Sequence, residues 1–404
     1  MRGRYKYVIL GAGCSGLSLC YYLLDLGVED PILLLDRRSE FLDDRTWCFW
    51  DVEPTPFSHL ALKRWYSWSL RADGGSVTQT TRRYPYLRVR SADFYEYAVR
   101  SLEAHPNVTL RMGEEVLNHS PVPGGVRVET SGEAYEADLV FDGRGLPPGS
   151  PHFEKARKEA TWVPQEFLGQ RVEAQSPVFD PYRCTLMDFS VDQGRGLRFV
   201  YVLPFTRETA LVENVYLSEV EAGPEEHRAG IRDYLWDVYG LSGSEYEVRR
   251  EEKGYIPMTS YEFPRRLGER VYSIGMLGGE TRPSTGYTFL RIQRYCRRLA
   301  ESLAGSPKEL PEVSAKTDSR RYDLLDALFL RFMHEYPERC PEIYRQMFAG
   351  VPADSLVRFL TEKSSPLDEA RLIKALPKTP FIGLAFRAAL EKLREAGPPF
   401  RPGG

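Results

Sequence analysis

Short apolar runs and one segment of helical period alternate at the start of the chain. Residues 5–10 form an apolar run that predicts a buried strand, and residues 14–27 follow with a helical pattern. A second apolar run, residues 32–35, predicts another strand and ends on Asp36. A strand, a helix and a second strand within 36 residues predict a βαβ unit.

Three glycines occupy the turn between the first strand and the helix. Gly11 permits a tight turn, Gly13 lets a pyrophosphate approach the backbone, and Gly16 lets the helix pack on the strand. Free N–H groups at the helix N-terminus favour phosphate, and Asp36 is spaced to bond the ribose hydroxyls. The unit predicts dinucleotide binding, with a ligand-free glycine turn as the alternative. The predicted contacts also include Ala12, Ser15 and Arg37.

Further along, the hydrophobic pattern changes from helical to strand-like. A helix is predicted over residues 94–104 and strands over 108–112 and 125–130, before an apolar run that ends in the turn Asp142–Gly145. Alternating positions from about 160 to 265 predict an inserted antiparallel sheet that covers a substrate, with strands at 198–203, 209–216 and 246–253.

The last strand of the nucleotide-binding part is predicted at residues 271–275. It leads through a glycine-rich turn into a helix of about 20 residues, for which Ser284 or Thr285 supplies the N-cap. Two late strand-to-glycine turns favour FAD over NAD, because an extended flavin gains contacts from later segments. Helices follow from about residue 320, and the Pro/Gly-rich residues 397–404 are predicted to be disordered.

Composition excludes several classes of protein. The chain has 404 residues and a net charge of −3, which gives no argument for nucleic-acid binding. Its apolar runs are shorter than a membrane span requires, and a strand at residue 5 leaves no room for a signal peptide. The six cysteines show no metal spacing, so we expect free thiols in a cytoplasmic protein and no metal site.

Several longer sequence strings are similar to those of the flavoprotein lycopene cyclase family. The two most specific are Arg-Thr-Trp-Cys-Phe-Trp at 45–50 and Arg-Pro-Ser-Thr-Gly-Tyr at 282–287. The other strings that carry the resemblance lie at 141–145, 165–169, 186–189, 211–214, 254–258, 322–325 and 376–381. Together they cover nearly the whole chain.

The resemblance implies an α/β fold with a Rossmann-like FAD-binding domain of the glutathione-reductase type. That domain is expected to comprise residues 1–160 and 266–310, with an antiparallel substrate sheet at 161–265 and a helical region at 311–396. The implied reaction closes the ψ-ends of lycopene into β-ionone rings. Reduced FAD would be the cofactor, and NAD(P)H would serve only to keep it reduced.

Ring closure of a polyene requires a proton donor, stabilisation of a carbocation and a base. Glu213 lies on a predicted strand where alternation places it on one face with Leu211 and Val215, and burial would keep it protonated. The alternatives are a solvent-facing glutamate and an ion pair with an arginine. Asn214 stands where the family often has a second acid, so Glu213 is the predicted catalytic acid.

The resemblance and the turns suggest further contacts. Trp47, Phe49 and Tyr287 are predicted to line the substrate tunnel, against plain core packing. Arg45 is predicted to contact the flavin, against an ion pair with Asp43 or Asp44. The other predicted cofactor contacts are Asp142, Gly143, Arg144, Gly279, Pro283, Ser284, Thr285 and Gly286. The alternative interpretation is that these residues form a simple tight turn and a helix cap without a cofactor.

Lycopene is apolar, so an enzyme without a span must reach it from the membrane surface. Residues 370–395 mix apolar side chains with lysines and arginines and predict peripheral membrane association, against a solvated helix packed on the body. The other functions considered are a flavin cyclase for another prenyl chain, a flavin monooxygenase, a geranylgeranyl-type reductase and a non-catalytic flavin protein.

Overall fold

The computed structural model describes residues 4–194, 196–219, 222–305 and 320–395. Elements are labelled in chain order. The predicted disordered residues 397–404 lie outside this part of the chain. Within it, the chain forms three β-sheets and ten α-helices.

The first sheet carries the predicted βαβ unit. Its parallel strands lie side by side in the order β18 (Val271–Ser273), β11 (Ala134–Asp142), β1 (Arg4–Leu10), β2 (Ile32–Asp36) and β8 (Val108–Met112). Antiparallel additions are β9 (Val116–Val122), β10 (Gly125–Thr130) and β17 (Arg266–Gly268). Both faces of β1 and β2 are buried, which explains why these strands are continuous apolar runs.

Helices cover one face of this sheet. They are α1 (Cys14–Asp25), α2 (Ser91–Glu103) and α5 (Phe289–Gly305), and their apolar residues share one core cluster with alternate residues of β1 and β2. The opposite face packs against the hairpin of β9 and β10. The parallel strands therefore end together at one edge, above the N-terminus of α1.

The second sheet has seven strands. Their order is β16 (Tyr246–Thr259), β12 (Trp162–Ala174), β15 (Thr209–Leu217), β14 (Leu197–Pro204), β13 (Arg183–Asp188), β5 (Ser67–Ala72) and β6 (Gly75–Thr80). All neighbours are antiparallel except β13 and β5. The sheet therefore also includes strands from residues 67–80, which lie outside the range 161–265 predicted for it.

The remaining elements surround the second sheet. A small sheet of β3 (Thr46–Trp50), β7 (Tyr86–Arg90) and β4 (Lys63–Trp65) adjoins it. One face of the second sheet packs on the C-terminal helices, and its other face packs on α4 (Pro224–Tyr239). The C-terminal helices are α6 (Arg320–Glu335), α7 (Cys340–Gly350), α8 (Ala353–Leu360), α9 (Pro366–Ala375) and α10 (Lys378–Glu395). A short helix, α3 (Pro151–Glu159), precedes β12.

The start of α5 corrects one prediction. The helix begins at Phe289, so neither Ser284 nor Thr285 is its N-cap. Residues 282–287 instead form a loop in which Arg282 and Tyr287 are joined by a backbone hydrogen bond. The physical reason is tertiary: the buried guanidinium of Arg282 and the hydroxyl of Ser284 both donate to Asp326 of α6, which holds this segment out of the helix.

Candidate active site

One large cavity of about 1170 Å³ lies between the first and second sheets. Part of its wall comes from the carboxyl ends of β1, β2 and β11, where ligands bind in open α/β sheets. The rest comes from the second sheet, β3, β7 and the C-terminal helices. Its volume exceeds the usual range for a single small ligand, about 300–1,000 Å³, so it has room for a cofactor and part of a substrate.

The turn at the start of α1 is shaped for an anion. Gly13 is the N-cap of α1, no side chain caps this helix end, and its first turn carries no acid. A Cβ on Gly13 would meet nothing within 4 Å, whereas a Cβ on Gly16 would lie 1.9 Å from the carbonyl oxygen of Gly11. The helix is therefore packed tightly on the strand, and the space beside Gly13 remains open to a ligand.

Asp36 lies at the end of β2, where the sequence places it, but its oxygens already have partners. Oδ2 accepts hydrogen bonds from the backbone N–H of Ala12 (2.8 Å) and from Arg38 (2.9 Å), and Oδ1 accepts two more from Arg38. Burial opposes ionisation of Asp36, but these hydrogen bonds outweigh it and hold its pKa below the ordinary value. Arg38, which the sequence analysis missed, lies against the rings of Phe41 and Tyr95.

The structure brings many of the predicted cofactor contacts to one wall. Asp142 is the last residue of β11, and its carboxylate forms an ion pair with Arg144 at 2.6 Å. Arg45 donates to the carbonyl oxygen of Asp44 and pairs with its carboxylate at 3.6 Å. The predicted cofactor residues that line the cavity are Gly11, Gly13, Ser15, Asp36, Arg37, Arg45, Asp142, Gly143, Arg144, Thr285 and Gly286.

Other predicted residues lie behind this wall. Ala12 and Gly16 belong to the packing of the turn, Gly279 lies beside Phe263, and Ser284 bonds to Asp326. Pro283, between Arg282 and Ser284, is also outside the cavity lining.

The predicted aromatic residues divide in the same way. Trp47 and Tyr287 line the cavity. Phe49 does not, and the prediction that it lines the substrate tunnel is corrected here. Its ring stacks on Phe289 at 4.5 Å in the core between β3 and α5. Trp47 and Phe49 share one face of β3, and both rings lie beside Phe289, so only the close stacking of Phe289 on Phe49 keeps that ring out of the cavity lining.

Glu213 lies in the middle of β15, on the face that borders the cavity. Leu211 and Val215 share that face, as alternation predicts, and belong to the core cluster with the C-terminal helices. Only 8% of Glu213 is exposed. Burial raises the pKa of its carboxyl group well above the ordinary value, and the neighbouring Glu252 raises it further. Among the described residues that the second sheet contributes to the cavity wall, Glu213 is the only acid.

Apolar and aromatic side chains surround this carboxyl group. Tyr201 of β14 pairs directly with Glu213 in the sheet, and its hydroxyl donates to that of Tyr86 at 3.1 Å. Burial raises the pKa of both phenols well above 10 and that of the Tyr287 phenol to about 12, so all three are neutral at pH 7. The other lining residues here include Phe167, Leu186, Met187, Phe199, Tyr344, Met347, Phe348 and Leu360.

Sequence reasoning missed Glu252 of β16, the second acid beside Glu213. The signal that could have found it is the alternation Arg250, Glu252, Gly254 on one face of that strand. Arg250 and Glu252 form an ion pair at 2.7 Å, and Glu252 is buried. A buried acid paired with an arginine at the next position of the same face points inward, to the interior of the fold.

Comparison with known proteins agrees with this arrangement. The model of the lycopene cyclase protein family matches residues 7–385. The chain belongs to this family. It is 29% identical to a lycopene beta-cyclase of Pseudescherichia vulneris over 95% of this chain and 96% of that protein. It is 25% identical to a lycopene beta-cyclase of Pantoea ananas over 95% and 97% of the two chains.

Solved structures show the same fold at low sequence identity. A geranylgeranyl bacteriochlorophyll reductase-like protein of Thermoplasma acidophilum has a TM-score of 0.60 and 12% identity, covering 92% of this chain and 95% of its own. A halogenase in complex with FAD has a TM-score of 0.54 and 12% identity, covering 88% of this chain and 78% of its own. The predicted Rossmann-like α/β class is confirmed, because these neighbours include flavin-dependent enzymes of this architecture.

Proposed function

We propose that this protein is a lycopene β-cyclase that converts the ψ-ends of lycopene into β-ionone rings. The observation that carries the proposal is the buried carboxyl group of Glu213 at the apolar part of the cavity, where burial raises its pKa well above the ordinary value. A carboxylic acid kept neutral at pH 7 can donate a proton to a carbon–carbon double bond. The similarity to named lycopene beta-cyclases over nearly the full chain supports the same function.

The side chains around Glu213 suit the cation that protonation creates. Phe167, Tyr201 and Tyr287 present aromatic rings to the cavity, and the face of such a ring attracts positive charge by about 0.5–2 kcal/mol. Their apolar surroundings exclude water, which would otherwise capture the cation as an alcohol. After ring closure, the Glu213 carboxylate is placed to accept a proton from the ring. The reaction is then an isomerisation with no net redox change.

We propose FAD as the cofactor, held by the wall at the carboxyl ends of the parallel strands. The uncapped α1 N-terminus and the open space at Gly13 fit a pyrophosphate. Arg45 and Arg144 border the same wall, as do Thr285 and Gly286. For Asp36 to bond a ribose, Arg38 must release part of its hold on that carboxylate. Reduced FAD would supply an electron-rich ring that stabilises the cation or exchanges a proton, and NAD(P)H would keep it reduced.

The first experiment is expression in a lycopene-producing bacterium, followed by chromatography of the pigments. We expect lycopene to be converted into γ- or β-carotene. Glu213→Gln keeps the size of the side chain but removes the acid, and we expect it to lower the rate about 10²–10⁴-fold. Glu173→Gln is the matched control, because this exposed residue of β12 pairs with the surface residue Arg249, away from the cavity.

A second assay, which measures NAD(P)H oxidation by the purified protein, separates a cyclase from a monooxygenase or a reductase. A cyclase uses no stoichiometric NAD(P)H, so we expect far less than one NAD(P)H oxidised per ring formed under anaerobic conditions with reduced flavin. Consumption equal to product, together with full activity of Glu213→Gln, would refute the cyclase.

We also propose that the C-terminal helices bring the protein to the membrane surface. Ile382 and Phe386 are spaced four residues apart on α10, lie on one face of it and are more than 60% exposed. Ile373 of α9 is exposed as well, and Lys374 and Lys378 lie nearby in the sequence. Exposed apolar side chains with flanking lysines suit an anionic lipid surface. Among the described residues, no helix is long and apolar enough to cross a bilayer.

A further inference from the structure

Two glutamates from strands that are not neighbours meet over a glycine. In the second sheet, β12 lies between β15 and β16, and Gly169 of β12 pairs with both Glu213 and Glu252. Directly paired residues point to the same face. The two glutamate backbones are two strand spacings apart, about 10 Å, yet their side chains approach each other over Gly169, where their carboxyl groups interact.

The absent side chain of Gly169 makes this contact possible. A Cβ at that position would lie 2.7 Å from Cγ of Glu213 and 3.1 Å from its Oε1. Gly254 of β16, which pairs with Phe167 of β12, likewise lacks a side chain, and the ring of Phe167 occupies the space above it. Phe167 borders the cavity, and Glu252 is buried behind this wall.

The partners of Glu252 determine which of the two acids is ionised. Its Oε2 accepts hydrogen bonds from the hydroxyl of Thr46 at 2.8 Å and from the guanidinium of Arg250 at 2.7 Å. Both donors favour a carboxylate. This pair of donors assigns the negative charge to Glu252 and the proton to Glu213.

We propose that Glu252 is a positioning residue that keeps Glu213 protonated before the reaction and makes it a stronger base after the proton has left. This inference rests on the proposed function of Glu213 as the acid. When the double bond takes the proton, its electron pair forms the new C–H bond and two carboxylates remain side by side. Their repulsion makes Glu213 a stronger base. A second double bond attacks the cation, its π electrons form the ring C–C bond, and the positive charge moves to a ring carbon. Glu213 then removes a proton from the adjacent carbon, the C–H electron pair becomes the ring double bond, and no electrons are gained or lost overall.

Other groups around the pair keep one charge state over the relevant pH range. Burial raises the pKa of the Cys48 thiol to about 12 and that of the Tyr201 phenol well above 10, and arginines remain protonated. The pair is therefore the group expected to titrate here. The charged or titratable neighbours on the packed elements are Arg250, Asp43, Cys48, Arg88, Arg171 and Tyr201.

The test compares Glu252→Gln with Glu251→Gln. Glu251 is the preceding residue on β16, points to the opposite face and pairs with Arg228 and Gln170. The first measurement is the infrared carbonyl signal of a protonated carboxylic acid, titrated against pH in purified protein without substrate. The second is the pH profile of kcat for ring formation, where loss of the Glu213 proton gives the alkaline limb.

We expect Glu252→Gln to lower both the infrared midpoint and the alkaline limb by roughly one pH unit or more, because it removes a like charge and an acceptor. Glu251→Gln should leave both unchanged, and Glu213→Gln should abolish the infrared signal. An unchanged midpoint in Glu252→Gln overturns the proposal. If Glu252→Gln does not fold, Glu252→Asp keeps the charge but withdraws the carboxyl group, and it should lower the midpoint as well.

The outcomes separate this inference from the proposed function. If Glu213→Gln forms no rings and Glu252→Gln leaves the midpoint unchanged, the cyclase proposal stands and the role of Glu252 is wrong. If the midpoint shifts but Glu213→Gln still forms rings at the full rate, the acid pair is real and Glu213 is not the proton donor.

Discussion

Two glycines at the start of α1 have different tasks, and alanine substitutions should separate them. A Cβ on Gly16 would lie 1.9 Å from the Gly11 oxygen, 3.1 Å from the Gly11 carbonyl carbon and 3.2 Å from Ile9 Cγ2. Ordinary contact begins at 3.4 Å, so the strand and helix backbones must move apart by about 1.5 Å. Overpacking costs about 1–3 kcal/mol and occasionally more, and a clash with backbone belongs to the upper end.

Gly13 should behave in the opposite way. Its φ of −83° suits alanine, and a Cβ there meets nothing within 4 Å. A glycine-to-alanine change at a compatible angle gains about 0.4–1 kcal/mol through the unfolded chain. Loss of a glycine N-cap costs a similar amount. We therefore expect the free energy of unfolding of Gly13→Ala without FAD to lie within about 0.5 kcal/mol of the wild-type value.

The assay has two parts. Urea unfolding of the FAD-free protein should show a loss of about 3 kcal/mol for Gly16→Ala and almost none for Gly13→Ala. Titration with FAD, followed by flavin fluorescence, should show at least tenfold weaker binding to Gly13→Ala, or about 1.4 kcal/mol. If Gly13→Ala binds FAD as tightly as the wild type, the pyrophosphate does not lie at this turn. Equal instability of both variants would refute the packing argument.

Three further predictions concern other parts of the molecule. Arg282→Met breaks the buried pair with Asp326 and should cost about 3–5 kcal/mol in urea unfolding, whereas Arg297→Met, on an exposed pair, should cost less than about 1 kcal/mol. Burial raises the pKa of all six cysteine thiols above the ordinary value, so native protein at pH 8 should react slowly with iodoacetamide, and one rapidly alkylated thiol would contradict this. The double variant of Ile382 and Phe386 to Asp should lose binding to anionic vesicles but keep activity on detergent-solubilised lycopene; unchanged vesicle binding would exclude this helix face as the anchor.

Local patterns were enough for part of the site. The glycine turn and the acid at the end of β2 were predictable because each depends on conformations within one βαβ unit. The burial of Glu213 was predictable as well, since alternation with Leu211 and Val215 assigns its face without any knowledge of the partner strand.

Other parts of the site depend on contacts between distant segments. The start of α5 could not be predicted because Arg282 and Ser284 donate hydrogen bonds to Asp326, some 40 residues further along the chain. Phe49 and Trp47 lie on the same short strand, and only the position of α5 decides which of the two rings faces the cavity.

The sequence by itself determined the class of fold, the glycine turn before α1 and the acid on β15, because backbone stereochemistry and side-chain period act within a few residues. Tertiary structure decided that Glu213 has a partner. Glu252 follows it by 39 positions, and β12, which lies between their strands, comes earlier than both in the chain. Strand order follows from how the whole sheet buries its two faces, so no pattern within one strand could place two carboxyl groups over Gly169.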